Sequence, residues 1–201
     1  VQWESFPGEV LDTSDVEMLK AELLPTSLGY DQYQLVTGKT PPFEKGESLD
    51  VLANGEMNYT LKGIHAKVSV KWAFQAPEGT ADTHYSIMRG TKANLIIRQG
   101  EEEKYKPVLY VKLLDGQEEE LKNSINTALQ ENYPGISLSK LSNGEFKIEV
   151  PDSYSVGHEA HFAQVTENYL KFFKQGEMPD WEVPNMIVKY YTTTLAFEKA
   201  Q

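Results

Sequence analysis

The 201-residue sequence contains no cysteine, which excludes disulfides, thiolate metal sites, iron–sulfur clusters and cysteine nucleophiles together. No apolar run approaches the ~18 residues that a bilayer-crossing helix needs. Positive charge is the scarcer sign: 19 Lys and Arg stand against 30 Asp and Glu, for a formal net charge of -11. Such a surface repels nucleic-acid backbones and anionic lipid, which points to a soluble protein, cytoplasmic or periplasmic, with neither as a partner. There is no Gly-x-Gly-x-x-Gly, no phosphate loop and no Gly-x-Ser-x-Gly elbow, so nucleotide binding and serine-hydrolase chemistry have no motif here. The opening Val1-Gln2-Trp3-Glu4 lacks a Met, a basic n-region and an apolar h-region, and reads as a removed leader or as part of a longer protein.

What remains is an ordinary globular composition, 40% hydrophobic and 24% charged, enough for one domain over residues 1–201. Asn54-Gly55, between Leu49-Val51-Ala53 and Met57-Tyr59-Leu61, predicts a hairpin turn. Ile64, Ala66, Val68, Val70, Trp72 and Phe74 alternate with His65, Lys67, Ser69, Lys71 and Gln75. That alternation predicts a long strand with its apolar side on a core and its polar side wet or against another subunit. Further strands are expected at 83–88, 93–98 and 107–113, and their short connections require antiparallel pairing.

Helical spacing is expected at 28–36, capped by Ser27 and closed by Thr37-Gly38, while 16–24 fits no clean period. A helix over 117–131 carries the stripe Leu121, Ile125, Ala128 and Leu129, and a hairpin follows across Asn143-Gly144. Together they read as a helix-hairpin insertion at about 115–151. The helix over 158–174 aligns Phe162, Val165, Tyr169, Phe172 and Phe173. A last helix, with Pro184 in its first turn, buries Met186, Ile187, Tyr190, Tyr191, Leu195 and Phe197 in some combination. The expected fold is α+β: one open, mainly antiparallel sheet with helices packed on one face.

Candidate chemistry is sparse. His158 and His161 are spaced i, i+3, not the i, i+4 of a zinc-binding helix, and no third ligand stands out, so no metal is expected. Asp82 and His84 could form an acid–base pair, but closeness in sequence says little, and the favoured reading has Asp82 closing a turn and His84 on a strand face. Arg89-Gly90-Thr91-Lys92 sets a glycine between cations, suited to an anion, yet a tight turn explains Gly90 equally well. The loop end of this strand remains the best place for substrate contacts. Glu101-Glu102-Glu103 and Glu118-Glu119-Glu120 read as solvated, the latter complementing a helix dipole. Asn58-Tyr59-Thr60 matches a glycosylation sequon but falls within a predicted strand.

The run Leu52-Ala53-Asn54-Gly55-Glu56-Met57-Asn58-Tyr59-Thr60-Leu61-Lys62-Gly63-Ile64-His65-Ala66-Lys67-Val68 carries a resemblance. So do Ala76-Pro77-Glu78-Gly79, the segment from Asp82 to Leu95, and Tyr105-Lys106-Pro107. They resemble the oxidoreductase C-terminal domain that forms the rear half of certain bacterial members of the glucose–fructose oxidoreductase / inositol dehydrogenase (Gfo/Idh/MocA) family. The resemblance covers nearly the whole chain and is most specific between about residues 50 and 110. It implies an amino-terminal Rossmann domain, absent from this chain, that holds NAD or NADP. It also implies hydride transfer to or from a sugar or cyclitol, and a carboxy-terminal domain that shapes the substrate site and builds a homo-oligomer.

The opening Val1-Gln2-Trp3-Glu4 looks like the segment just after that family's active-site His, which adds Trp3 to Asp82, His84, Arg89 and Lys92 as substrate-facing candidates. The oligomer-face candidates are His65, Lys67, Ser69, Lys71 and Gln75. The family's Glu-Lys-Pro motif has no counterpart here, so no catalytic residue carries over and the chain alone is expected to be inactive. The alternative is a stand-alone carbohydrate- or protein-binding module with Trp3, Trp72 or Trp181 as a sugar platform.

Overall fold

The computed structural model spans residues 1–201; residues 73–75 and 116, and the side chains of Trp3, Asn126 and Ala128, lie outside the described residues. The chain divides into two compact units, Val1–Gln75 with Gln175–Gln201, and Ala76–Lys174.

In the first unit, β1 (Val16–Gly29), β2 (Ser48–Leu61) and β3 (Ile64–Val70) form a three-stranded antiparallel sheet in that order. The register sets Met18, Tyr59 and Ala66 side by side, and Ala21, Met57 and Val68 beside them. Period-two alternation puts these on one face, where they pack with Phe6 and Leu11 and with Val188 and Ala196 of a helix described below. The other face aligns Lys20, Asn58 and Lys67, then Glu22, Glu56 and Ser69. Pro25 has no N–H to give a ladder and falls where the register slips between Leu24 and Thr26, on an edge strand.

The Asn54-Gly55 turn expected from sequence does not form: both residues lie inside β2, with Gly55 opposite Leu23. The Asn54 amide is occupied across the sheet. Its Nδ2 donates to Thr26 Oγ1 at 2.6 Å, and its Oδ1 accepts the Trp72 backbone N–H. The turn is Lys62-Gly63, with φ of 48° and 77° between the paired Leu61 and Ile64, a two-residue primed turn. Lys62 is held in that left-handed conformation by its N–H on Asp15 O (2.9 Å) and by its Nζ, 2.9 Å from Glu9. β3 stops at Val70, so the buried stripe is shorter than the alternation suggested: Ala66 and Val68 pack, while Ile64, Val70 and Trp72 are exposed. Phe74 and Gln75 lie outside the described residues.

Two helices of this unit also begin elsewhere than expected. Ser27 stays in β1 with its hydroxyl on Asp50, and α2 (Tyr30–Thr37) starts after Gly29, whose N–H donates to Gln32 Oε1 at 3.0 Å. The short α1 is Gln2–Ser5. The last helix, Glu182–Ala200, buries Val188, Thr192 and Ala196; of the expected set only Leu195 packs against the core, while Met186, Ile187, Tyr190, Tyr191 and Phe197 are exposed. Asn185 anchors it: its Nδ2 donates to Glu9 O and its Oδ1 accepts the Leu11 N–H, both at 2.9 Å.

In the second unit, β4 (His84–Arg89), β5 (Ala93–Gln99), β6 (Val108–Leu113), β7 (Ser137–Lys140) and β8 (Phe146–Glu149) form an antiparallel sheet in the order β4-β5-β6-β8-β7. α3 (Glu118–Asn132) brings Leu121, Ile125 and Leu129 onto Val111, Phe146 and Ile148. The hairpin read as part of an insertion therefore extends the sheet, because β8 pairs directly with β6. α4 (His158–Gln175) follows, closed by Gly176 at φ 76°, and has no buried residue: Phe162, Val165, Tyr169 and Phe173 are all at least 59% exposed. The Glu182–Ala200 helix is α5.

The α+β class and the antiparallel pairing hold. The strands between 49 and 113 nevertheless fall into two sheets, not one. Ahead of β4, Pro77 begins a turn closed by Thr80 N–H on Pro77 O at 3.0 Å. Among the described residues no helix is long and apolar enough to cross a membrane.

Candidate functional site

The substrate-facing candidates do not converge. Asp82 and His84 sit at the start of β4, Arg89 and Lys92 at its far end, about 17 Å away at roughly 3.3 Å per residue. All four are exposed. Lys92 is engaged by Glu120 in the first turn of α3 at 2.6 Å, and that hydrogen bond raises its pKa. Gly90 is explained by the turn, because its N–H donates to Ala93 O at 3.0 Å and an added Cβ would come within 2.8 Å of that oxygen. That N–H is therefore not available to cradle an anion. The Trp3 side chain lies outside the described residues. His158 and His161 are exposed at the start of α4, and among the described residues no group of three or more His, Asp or Glu is placed to hold a metal.

The most developed polar constellation was not read from the sequence. On the sheet face opposite α3, Arg98 of β5 grips Glu145 with both ends of its fork: Nη1 to Oε2 at 2.8 Å and Nη2 to Oε1 at 2.9 Å. Asn143 Nδ2 donates to the same carboxylate at 3.1 Å. The guanidinium stacks 4.5 Å from the Tyr110 ring, and the Tyr110 hydroxyl donates to Glu103 at 3.0 Å. Arg98 holds the Glu145 carboxyl below the ordinary carboxylate range, and burial followed by the Glu103 bond pushes Tyr110 up. The forked Arg98–Glu145 contact, joined by Asn143, makes the cluster a structural clamp between β5 and the turn before β8.

Glu103 is thus partly withdrawn from the solvent in which the Glu101-Glu102-Glu103 run was expected to sit; it also accepts the Gly100 N–H at 3.1 Å. It closes a loop in which Lys104 and Tyr105 adopt φ of 55° and 58°. Only the Asn143-Gly144 turn beside Glu145 hinted at this cluster in the sequence.

The oligomer-face candidates His65, Lys67 and Ser69 do share the polar face of the three-stranded sheet, with Lys71 exposed just beyond β3 and Gln75 outside the described residues. Lys67 lies 2.8 Å from Glu56, whose pKa that bond lowers, and Lys20 pairs with Glu22 alongside. A shallow cleft of about 540 Å³ lies between Gly29–Gln32 and Lys45–Ser48, with Lys45 Nζ 5.4 Å over the Tyr30 ring.

Two antiparallel sheets with helices packed on them define an α+β domain, and among the described residues no set of titrating groups converges. The whole chain, residues 1–201, matches the family model described as "Putative oxidoreductase C terminal domain", and the chain belongs to that family. It is similar to a crystal structure of a putative oxidoreductase from Parabacteroides merdae, at 43% identity and a TM-score of 0.92. The match covers all of this chain and 48% of that one, so the chain spans about half the length of its structural relative. No match was found among curated proteins.

Proposed function

We propose that this chain is the substrate-side half of an NAD(P)-dependent oxidoreductase of the Gfo/Idh/MocA type, acting on a sugar or cyclitol hydroxyl. The observation that carries the reading is the full-length family match, joined to a 43% identical oxidoreductase twice as long. The residues of this chain do not fit a dinucleotide: the sheets are antiparallel, and the β1–α2 junction offers Gly29-Tyr30 in place of a glycine-rich phosphate turn. The cofactor therefore belongs to the remainder of such an enzyme. Within this reading the face bearing His65, Lys67 and Ser69 is available to a second subunit.

The test is a thermal shift on a longer protein containing this chain. NAD or NADP at about 100 times its Kd should stabilise it by roughly 2.7 kcal/mol, and the 201-residue chain should not respond. The reading fails if neither dinucleotide stabilises the longer protein. His84→Ala and Arg89→Ala then report which end of β4 faces substrate: the substitution at that end should raise KM about tenfold. Sugar binding by the isolated 201 residues would favour the stand-alone carbohydrate module instead.

A further inference from the structure

Asn-Gly occurs twice in this chain, at Asn54-Gly55 and Asn143-Gly144, and the fold treats the two pairs in opposite ways. The pair is chemically special because glycine, with no Cβ, leaves its own backbone nitrogen free to reach the preceding side-chain amide. That nitrogen attacks Cγ of the asparagine. An N–C bond forms and the Cγ–Nδ2 bond breaks. Ammonia departs with the proton that the glycine nitrogen gives up, leaving a five-membered succinimide. Water then opens the ring at either carbonyl, giving aspartate or an isoaspartate whose extra methylene lies in the main chain.

Asn54 is locked out of this reaction. Both its side-chain atoms are engaged, Nδ2 with Thr26 Oγ1 and Oδ1 with the Trp72 N–H. Gly55 lies in the central strand of its sheet, paired with Leu23 on one side and Val70 on the other. Freeing that pair means parting three strands. Asn143 is exposed, in the turn that joins β8 to the edge strand β7, each only four residues long. Its restraints are local. Gly144 N–H donates to Leu141 O at 3.0 Å, and the Asn143 amide meets the Glu145 carboxylate and N–H at 3.1 and 3.0 Å. All three bonds fall within residues 141–145, so they open with the turn and leave the rest of the sheet paired.

We propose that Asn143 is a site of spontaneous deamidation whose product loosens the Arg98–Glu145 clamp. In the product a carboxylate replaces the Nδ2 donor that stands 3.1 Å from Glu145 Oε2, which sets two like charges in one site. The new anion also competes for the guanidinium that grips Glu145 with both nitrogens. The inference does not depend on the enzymatic reading, since the chemistry needs only the turn and water.

Trypsin separates the two pairs, because Asn54 falls on peptide 46–62 and Asn143 on peptide 141–147. The native 201-residue chain is incubated for several weeks at neutral pH and digested. Mass spectrometry should find the gain of about 1 Da on 141–147 at least about tenfold more often than on 46–62. Aspartyl and isoaspartyl forms of 141–147 should elute separately. In urea the two peptides should react alike, because folding sets the choice. Asn143→Asp, which imitates the aspartyl product, should lower the melting temperature by about 2–4 °C. The proposal is overturned by equal modification of the two peptides in the native chain, by an unmodified 141–147, by a preference that persists in urea, or by an Asn143→Asp chain that melts like wild type.

Discussion

The three-stranded sheet carries its charges on the open face, Lys67 against Glu56 and Lys20 against Glu22, whereas the five-stranded sheet folds Arg98 over a Glu145 that is only 6% exposed. The apolar sides differ as well. The first sheet receives α5 through small side chains, and the second receives α3 through Leu121, Ile125 and Leu129. Where small residues do the packing, the large ones of the same helix are left facing out, and α5 keeps an exposed apolar face. Where large residues do the packing, the helix is spent on its own core. The contrast lies in the packing helices α5 and α3, since α4 of the second unit also leaves Phe162, Val165, Tyr169 and Phe173 exposed.

The sharpest test of that contrast is Phe146→Ala, at a side chain 2% exposed between α3 and β6. The cavity should cost about 3–5 kcal/mol. Hydrogen exchange should show the loss in β5, β6 and β8 while protection of β1 and β2 is retained. Equal loss in both sheets would mean that the two units melt as one.

Glu145→Gln should have the next largest effect, about 2 kcal/mol at neutral pH, the scale of hydrogen bonds to a charged group. The sign with pH follows from the direction of the shift. Arg98 lowers the Glu145 pKa from 4.5, so the unfolded chain takes up the proton first as pH falls. The stabilisation is complete above the unfolded pKa and disappears as pH drops through the folded one. Denaturant melts below about pH 4.5 should show wild type and Glu145→Gln converging; parallel curves down to pH 2 would remove the clamp from the account.

The sequence was most legible where periodicity alone decides the outcome. The hairpin through Gly90, the stripe of α3, the hairpin across Asn143-Gly144 and the Gly176 end of α4 all form within a residue or two of expectation. It misled where one local signal has two physical uses. Asn-Gly is the favoured turn pair, but Asn54 also has an amide that can join Thr26 to Trp72, and the tertiary bonds win. The Arg98–Glu145 pair, 47 residues apart in sequence, leaves no periodic trace, and the substrate candidates at the ends of β4 are separated by geometry that spacing does not encode. A direct check is Lys62→Asn, which moves the Asn-Gly pair to the true turn. Asn tolerates positive φ better than Lys, so the melting temperature should rise by about 2 °C despite loss of the Glu9 contact. A fall would show that the Glu9 and Phe6 contacts of Lys62, not backbone conformation, hold the turn.

The smallest expected effect is the most discriminating between the two sheets. Lys67→Ala removes an ion pair in which Lys67 is 54% and Glu56 25% exposed, so water replaces most of what is lost. The melting temperature should not move measurably, in low salt or at 1 M NaCl, where surface attraction is screened to about 3 Å. A clear drop would place the open face of the three-stranded sheet on the same footing as the Arg98 clamp. The contrast between the two sheets would then lose its electrostatic half, and only the packing of α5 and α3 would still separate them.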